Sequence, residues 1–128
     1  RAPAARPARL PEDLVAFAAR VLARIRWSRA DAADVLGRYL SAPKPHVVFR
    51  PSRTGGAHVR LDPKTQLLYR GKRFFINGEG FSTPHAARLR ELADRREASR
   101  ARLAPLADLI AEWRAAGYVH FGQKASHG

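Results

Sequence analysis

The apolar residues of this chain change their period part-way along it. As far as Leu40 they recur at helical spacing, and beyond Gly55-Gly56 they alternate with a period near two between turn residues. A helix gathers every third or fourth residue on one face and a strand every second, so no single element satisfies both patterns. The chain is therefore expected to be α+β, with a helical hairpin followed by a winged-helix-like module of a small antiparallel sheet and two helices.

The helical part opens at Pro11. Leu14, Phe17, Ala18, Val21, Leu22 and Ile25 form the i, i+3, i+4, i+7, i+8 stripe of an amphipathic helix, with Arg20, Arg24 and Arg26 on the other face. Ser28 followed by Asp31 reads as a capping box for a second helix that buries Ala32, Val35, Leu36, Tyr39 and Leu40. The hairpin would turn at Trp27-Ser28. Pro43 and Pro45 end it, because proline lacks the amide hydrogen and pushes its predecessor away from helix. Ahead of it, residues 1–9 carry no apolar period and are expected to be a disordered arm. The organisation expected is arm 1–9, dimerising hairpin 10–44, linker 45–55, winged-helix-like domain 56–122 and tail 123–128.

In the mixed part, His58–Asp62, Gln66–Arg70, Arg73–Ile76 and Glu79–Ser82 are separated by Pro63-Lys64, Gly71-Lys72 and Asn77-Gly78, which predicts one antiparallel meander. Asn-Gly between apolar runs is the signature of a type I′ hairpin turn. Thr83 and Pro84 supply a helix cap and a first-turn proline for a third helix carrying Leu89, Leu92 and Ala93 inward. After a break near Ser99, Leu103, Leu106, Ala107, Leu109, Ile110 and Trp113 mark a fourth helix closed by Gly117. Tyr118–Phe121 reads as a closing strand.

Composition narrows the function. Basic residues number 24 against 11 acids, a formal charge of +13, and the only lysines are Lys44, Lys64, Lys72 and Lys124. Such a surface attracts polyanions. The stripe Arg88, Arg95, Arg96, Arg100 and Arg102, with a wing at Arg70, Lys72 and Arg73, is the expected phosphate-contacting surface. It carries no Asn or Gln to read adenine, so the binding would be indifferent to sequence. The bland alternative is a solvated helix face on which Glu91, Asp94 and Glu97 pair with Arg88, Arg90, Arg95 and Arg100. No cysteine is present, which rules out disulfides and thiolate chemistry. No apolar run is long enough for a membrane span and residues 1–9 lack a signal peptide's apolar stretch, so no membrane partner is expected and a cytoplasmic location is. The chain holds no methionine and begins at Arg1, which suggests a fragment of a longer protein.

Catalytic patterns are missing. His46, His58, His85, His120 and His127 each stand outside any His-x-Asp/Glu or one-turn His pair, the usual traces of iron and zinc sites. There is no Gly-x-Ser-x-Gly, and the glycines at 55–56 and 78–80 match no phosphate-binding loop. No catalytic residue, metal ligand or cofactor is expected in this chain.

Three segments carry a resemblance. Phe74-Phe-Ile-Asn-Gly-Glu-Gly-Phe81, Ser82-Thr-Pro-His85 and Trp113-Arg-Ala-Ala-Gly-Tyr-Val-His-Phe121 resemble the C-terminal region of bacterial cupin, JmjC-like ribosomal oxygenases, the iron(II)- and 2-oxoglutarate-dependent ribosomal protein arginine hydroxylases. The resemblance spans residues 10–122. It implies a parent protein whose catalytic cupin, with a His-x-Asp and a distant His on iron(II) and with 2-oxoglutarate, precedes a helical dimerisation segment and a winged helix. For this chain it implies a non-catalytic fragment that pairs with a second copy, contacts the catalytic cupin, and reaches ribosomal protein or RNA. The expected dimer contact is Leu14, Phe17, Val21, Leu22, Val35, Leu36 and Tyr39. The alternatives are a free-standing basic winged-helix nucleic-acid-binding protein and a structural interaction domain of another assembly.

Overall fold

The structure, a computed structural model, describes residues 7–22 and 29–124, with the Leu22 side chain outside that description. The turn expected at Trp27-Ser28, and Arg24, Ile25, Arg26 and His127, lie outside the described residues. Among the described residues eleven elements follow one another. They are helices α1 (Glu12–Leu22) and α2 (Arg29–Ser41), strands β1 (His58–Leu61), β2 (Leu67–Arg70), β3 (Arg73–Ile76) and β4 (Glu79–Ser82), helix α3 (Ala86–Arg95), strand β5 (Glu97–Ser99), a 3-10 turn (Ala104–Leu106), helix α4 (Ala107–Ala116) and strand β6 (Val119–Gly122). The α+β class holds.

The strands do not form one meander. β2, β3 and β4 make one antiparallel sheet, and β1 lies between β5 and β6 in another. Apolar alternation marks a strand without naming its neighbour, which is why β1 looked continuous with β2. Two compact units result: residues 1–43 with 66–86, and residues 44–65 with 87–128. The chain leaves the first unit where the linker was expected to begin, and returns for the β2–β4 hairpins.

In the first unit α1 packs on α2, and α2 lies on the β2–β3–β4 sheet. Leu10, Val15, Ala33 and Phe75 form a buried cluster with Leu36 and Leu68 against it. Its geometry is set by Gly37, where an added Cβ would run into the Phe75 ring. The buried face of α2 is accordingly Ala32, Ala33, Gly37 and Ser41, while Val35, Tyr39 and Leu40 are exposed. This corrects the expected inward face: small residues let the helix approach the sheet closely, and the larger apolar side chains turn out. On α1, Val15 is buried and Leu14, Phe17 and Val21, all part of the expected dimer contact, are exposed. The Asn77-Gly78 turn has positive φ at both positions, 47° and 94°, as type I′ requires. Tyr69, Phe74 and Phe81 stack in a row across the three strands, with centroid spacings of 5.7 and 5.8 Å. Residues 7–9 are not a free arm. The Tyr69 amide donates to the Ala8 carbonyl at 2.9 Å and the Leu10 amide to the Tyr69 carbonyl at 2.8 Å, which covers the outer edge of β2.

In the second unit β1 pairs with β6 through Val59↔Phe121 and Leu61↔Val119, and with β5 through Val59↔Ala98, so the buried residues face one way. Leu89, Leu92 and Ala93 of α3 are buried as expected, and Ile110 and Trp113 of α4 likewise. α4 ends at Gly117, with φ of 87°. The Tyr118 amide then donates back to the Trp113 carbonyl at 2.8 Å. β5 was not expected. Arg96 adopts a left-handed φ of 63°, which stops α3 and turns the chain directly into Glu97–Ser99, and no Gly or Asn announces it.

Candidate functional site

The residues expected to contact polyanions fall in both units. In the first, Arg73 grips Asp34 in a two-pronged pair, Nε to Oδ1 at 3.0 Å and Nη2 to Oδ2 at 2.8 Å, with the Arg38 guanidinium 3.9 Å from the same carboxylate. The hydrogen bond from Arg73, aided by the charges of Arg73 and Arg38 and opposed by burial, holds the Asp34 carboxyl below the usual range. Arg70 Nε donates to Glu12 at 3.0 Å, and its bond likewise lowers the Glu12 pKa. Lys72 stands exposed at the hairpin tip.

On α3 and beyond, Arg88 donates to the Arg102 carbonyl at 2.7 Å, while Arg102 and Arg95 approach Glu91 at 3.4 and 3.9 Å. Arg96 turns inward, donating to the carbonyls of Asp62 and Thr65 at 2.9 Å each, and burial lowers its pKa against the opposing charge of Asp62. It braces the β1 end and does not face solvent as a phosphate contact would. Arg100 lies over the Phe121 ring. The stripe is therefore largely engaged with its own protein, and Arg95, the most exposed of these pairs, keeps its charge toward water.

Among the described residues the histidines do not converge. His58 Nε2 sits 3.1 Å from Glu97 and His120 Nε2 sits 2.7 Å from Asp62, on the two sides of β1, while His46 and His85 are exposed. Burial alone would raise the Asp62 pKa. The His120 hydrogen bond, the Lys64 amide and the charges of Lys64 and His120 outweigh it, so the carboxyl titrates below its ordinary range. Among the described residues no three His, Cys, Asp or Glu side chains are placed to hold a metal ion, so they do not fit an iron site. Among the same residues no helix is long and apolar enough to cross a membrane.

The residues expected at a dimer contact behave differently from the arginines. Phe17 is 57% exposed, Val21 54%, Val35 43%, Leu14 40% and Tyr39 77%, all on the α1–α2 pair of the first unit. Leu36 is instead partly buried against the core cluster. Large apolar side chains concentrated on one helix pair are unusual for a surface that stays wet.

A family profile, ROXA-like winged helix, matches residues 24–120, most of the chain. The chain belongs to the ROXA-like winged helix family. The match takes in α2 through α4 and the start of β6, and agrees with the resemblance carried by residues 74–85 and most of 113–121. Solved structures of YcfD, a ribosomal oxygenase from Escherichia coli, share its fold. One covers 96% of this chain at 20% identity with a TM-score of 0.63, and this chain covers 39% of that one. Another, in complex with cobalt and succinic acid, covers 93% at 18% identity and TM-score 0.61; a third, with cobalt and 2-oxoglutarate, covers 93% at 20% identity and 0.61. The chain thus spans about two fifths of the length of the structures it matches. No curated protein matches it.

Proposed function

We propose that this chain is the non-catalytic C-terminal region of an iron(II)- and 2-oxoglutarate-dependent ribosomal oxygenase that hydroxylates an arginine of a large-subunit ribosomal protein. It gives that cytoplasmic enzyme its dimer contact and its accessory contacts with the catalytic cupin. The observation that carries the reading is the ROXA-like winged-helix match over residues 24–120. The exposed Leu14, Phe17, Val21, Val35 and Tyr39 support the dimer contact, because an apolar set of this kind gains most by meeting its own copy across a two-fold axis. Iron(II) and 2-oxoglutarate belong to the cupin of the parent protein in this reading.

Light scattering on the unmodified chain at about tens of micromolar, a range in which micromolar contacts are populated, tests the dimer. A dimer that Phe17→Asp converts to monomer supports the contact, and a monomeric unmodified chain refutes it. The parent activity is tested by expressing the whole reading frame and measuring, by mass spectrometry, an oxygen added to an arginine of a ribosomal protein. A reading frame that encodes no cupin, with duplex binding that weakens as salt rises, would favour the free-standing nucleic-acid-binding protein instead.

A further inference from the structure

We infer that the second unit carries a docking groove for an acidic peptide segment with an apolar anchor, formed beside α4 and β6. The inference is independent of the dimer contact, which concerns α1 and α2. The groove is a hollow of about 420 Å³ floored by Val59, Leu103 and Ile110, and it adjoins a second of about 360 Å³ along α4. The two share Arg100, Ala107 and Phe121. That volume falls in the range of clefts that hold small ligands. Ala107, Ala111 and Ala115 recur at helical spacing along the α4 wall, and their small side chains leave room for a backbone to lie against it.

The rim selects the charge of the occupant. Arg100 and Arg114 stand 4.4 and 4.6 Å from the centroid of the Phe121 ring, and both are fixed by backbone carbonyls: Arg100 Nη1 donates to Gly56 at 3.2 Å and Arg114 Nη2 to Thr54 at 2.6 Å. Their anchors are neutral carbonyls, so the positive charge at the rim is left uncompensated by those bonds. Arg114 Nε is shut off from solvent with no acceptor. A guanidinium held in place loses little freedom when it meets a carboxylate, and its remaining N–H groups form short, charge-assisted bonds. The +13 formal charge draws an acidic segment to this surface. A peptide fits better than a nucleic acid, because base stacking needs an open aromatic face and Phe121 is only 9% exposed beneath its arginines.

The test titrates the full chain with a short fluorescein-labelled peptide alternating Glu and Leu, an all-Glu peptide of equal length, and a short single-stranded RNA. The Glu-Leu peptide is expected to bind with micromolar Kd. Ala107→Trp, which fills the groove, should weaken it at least about tenfold and Arg114→Gln about fivefold, the scale of a central contact. Arg60→Gln, which removes an equal charge outside the groove, should leave it unchanged. Amide shifts in the unmodified chain should centre on Ala107 and Phe121, a readout that does not depend on any variant folding. Equal affinity for the all-Glu peptide, tighter binding of the RNA, or amide shifts centred elsewhere would each overturn the inference.

Discussion

Gly37 of α2 lies flat against the ring of Phe75 in β3, with no space between them for a Cβ. Helix propensity alone would make Gly37→Ala stabilising by about 1 kcal/mol. Phe75 is fully buried and has no room to yield, so overpacking at about 1–3 kcal/mol opposes that gain. We expect a net loss of about 1 kcal/mol or more, read as a lower urea midpoint by far-ultraviolet circular dichroism. A midpoint that rises would mean that α2 can lift from the sheet at little cost.

Gly117 combines two constraints, a left-handed φ of 87° and a backbone neighbour, Arg50, that a Cβ would strike. Backbone gives way less readily than a side chain. Gly117→Ala should therefore cost about 2–4 kcal/mol, more than the 1–2 kcal/mol that the left-handed conformation alone accounts for. Thermal unfolding of the variant beside Gly71→Ala, a site with φ of 60° and open space around it, separates the two contributions.

Acid should loosen both units. The Asp34 and Asp62 carboxyls titrate below their ordinary range when folded. A depressed folded value means that the ionised carboxyl stabilises the protein above the unfolded pKa of about 3.9, and that this contribution disappears as pH falls through the folded value. Stability should then drop below about pH 4 and hold above about pH 5. In Asp62→Asn that drop should be shallower, measured as urea midpoint against pH, and an unchanged slope would show that His120 and Lys64 add nothing to the ionised form.

Arg96 is a brace. Arg96→Ala leaves the Asp62 and Thr65 carbonyls without its donors, a loss of about 1–3 kcal/mol. Arg96→Gly should recover about 1 kcal/mol of that, because glycine accepts the φ of 63° without strain. Calorimetry of the pair checks the order. Any duplex binding by the folded chain should keep its salt slope in either variant and lose part of it in Arg95→Glu, since the Arg95 side chain is 74% exposed while Arg96 turns inward.

These cases show what the sequence makes visible. Asn77-Gly78, Gly117 and the buried residues of α3 and α4 were legible because each rests on local chemistry, a required φ or a helical stripe, whereas α3 opens at Ala86, past the expected Thr83-Pro84 start, and Thr83 Oγ1 accepts from the His85 amide in the turn ahead of it. Periodicity placed Val35 and Tyr39 on an apolar face without saying what covers it. Here Gly37 and Ala33 take the sheet and the larger side chains turn outward. β5 left no trace because Arg96 does the turning that a glycine would advertise. The arginine stripe was legible as charge but not as contacts: whether a guanidinium meets phosphate, carboxylate or its own carbonyls depends on residues far away in the chain, as Arg96 and Thr65 illustrate, 31 positions apart. The groove at Phe121 had no local signal at all, since Arg100 and Arg114 meet only through the fold.

β1 is the middle strand of its sheet and both of its neighbours come later in the chain, with His58 meeting Glu97 across 39 positions and Arg60 meeting Gln123 across 63. During synthesis β1 leaves the ribosome with neither edge paired, and β6 supplies the second partner only as the last residues of this segment emerge. The hairpins of β2, β3 and β4, whose partners are adjacent in sequence, have no such wait. A chain broken off before Val119 would leave one edge of β1 open, an exposed apolar strand of the kind that invites aggregation and removal.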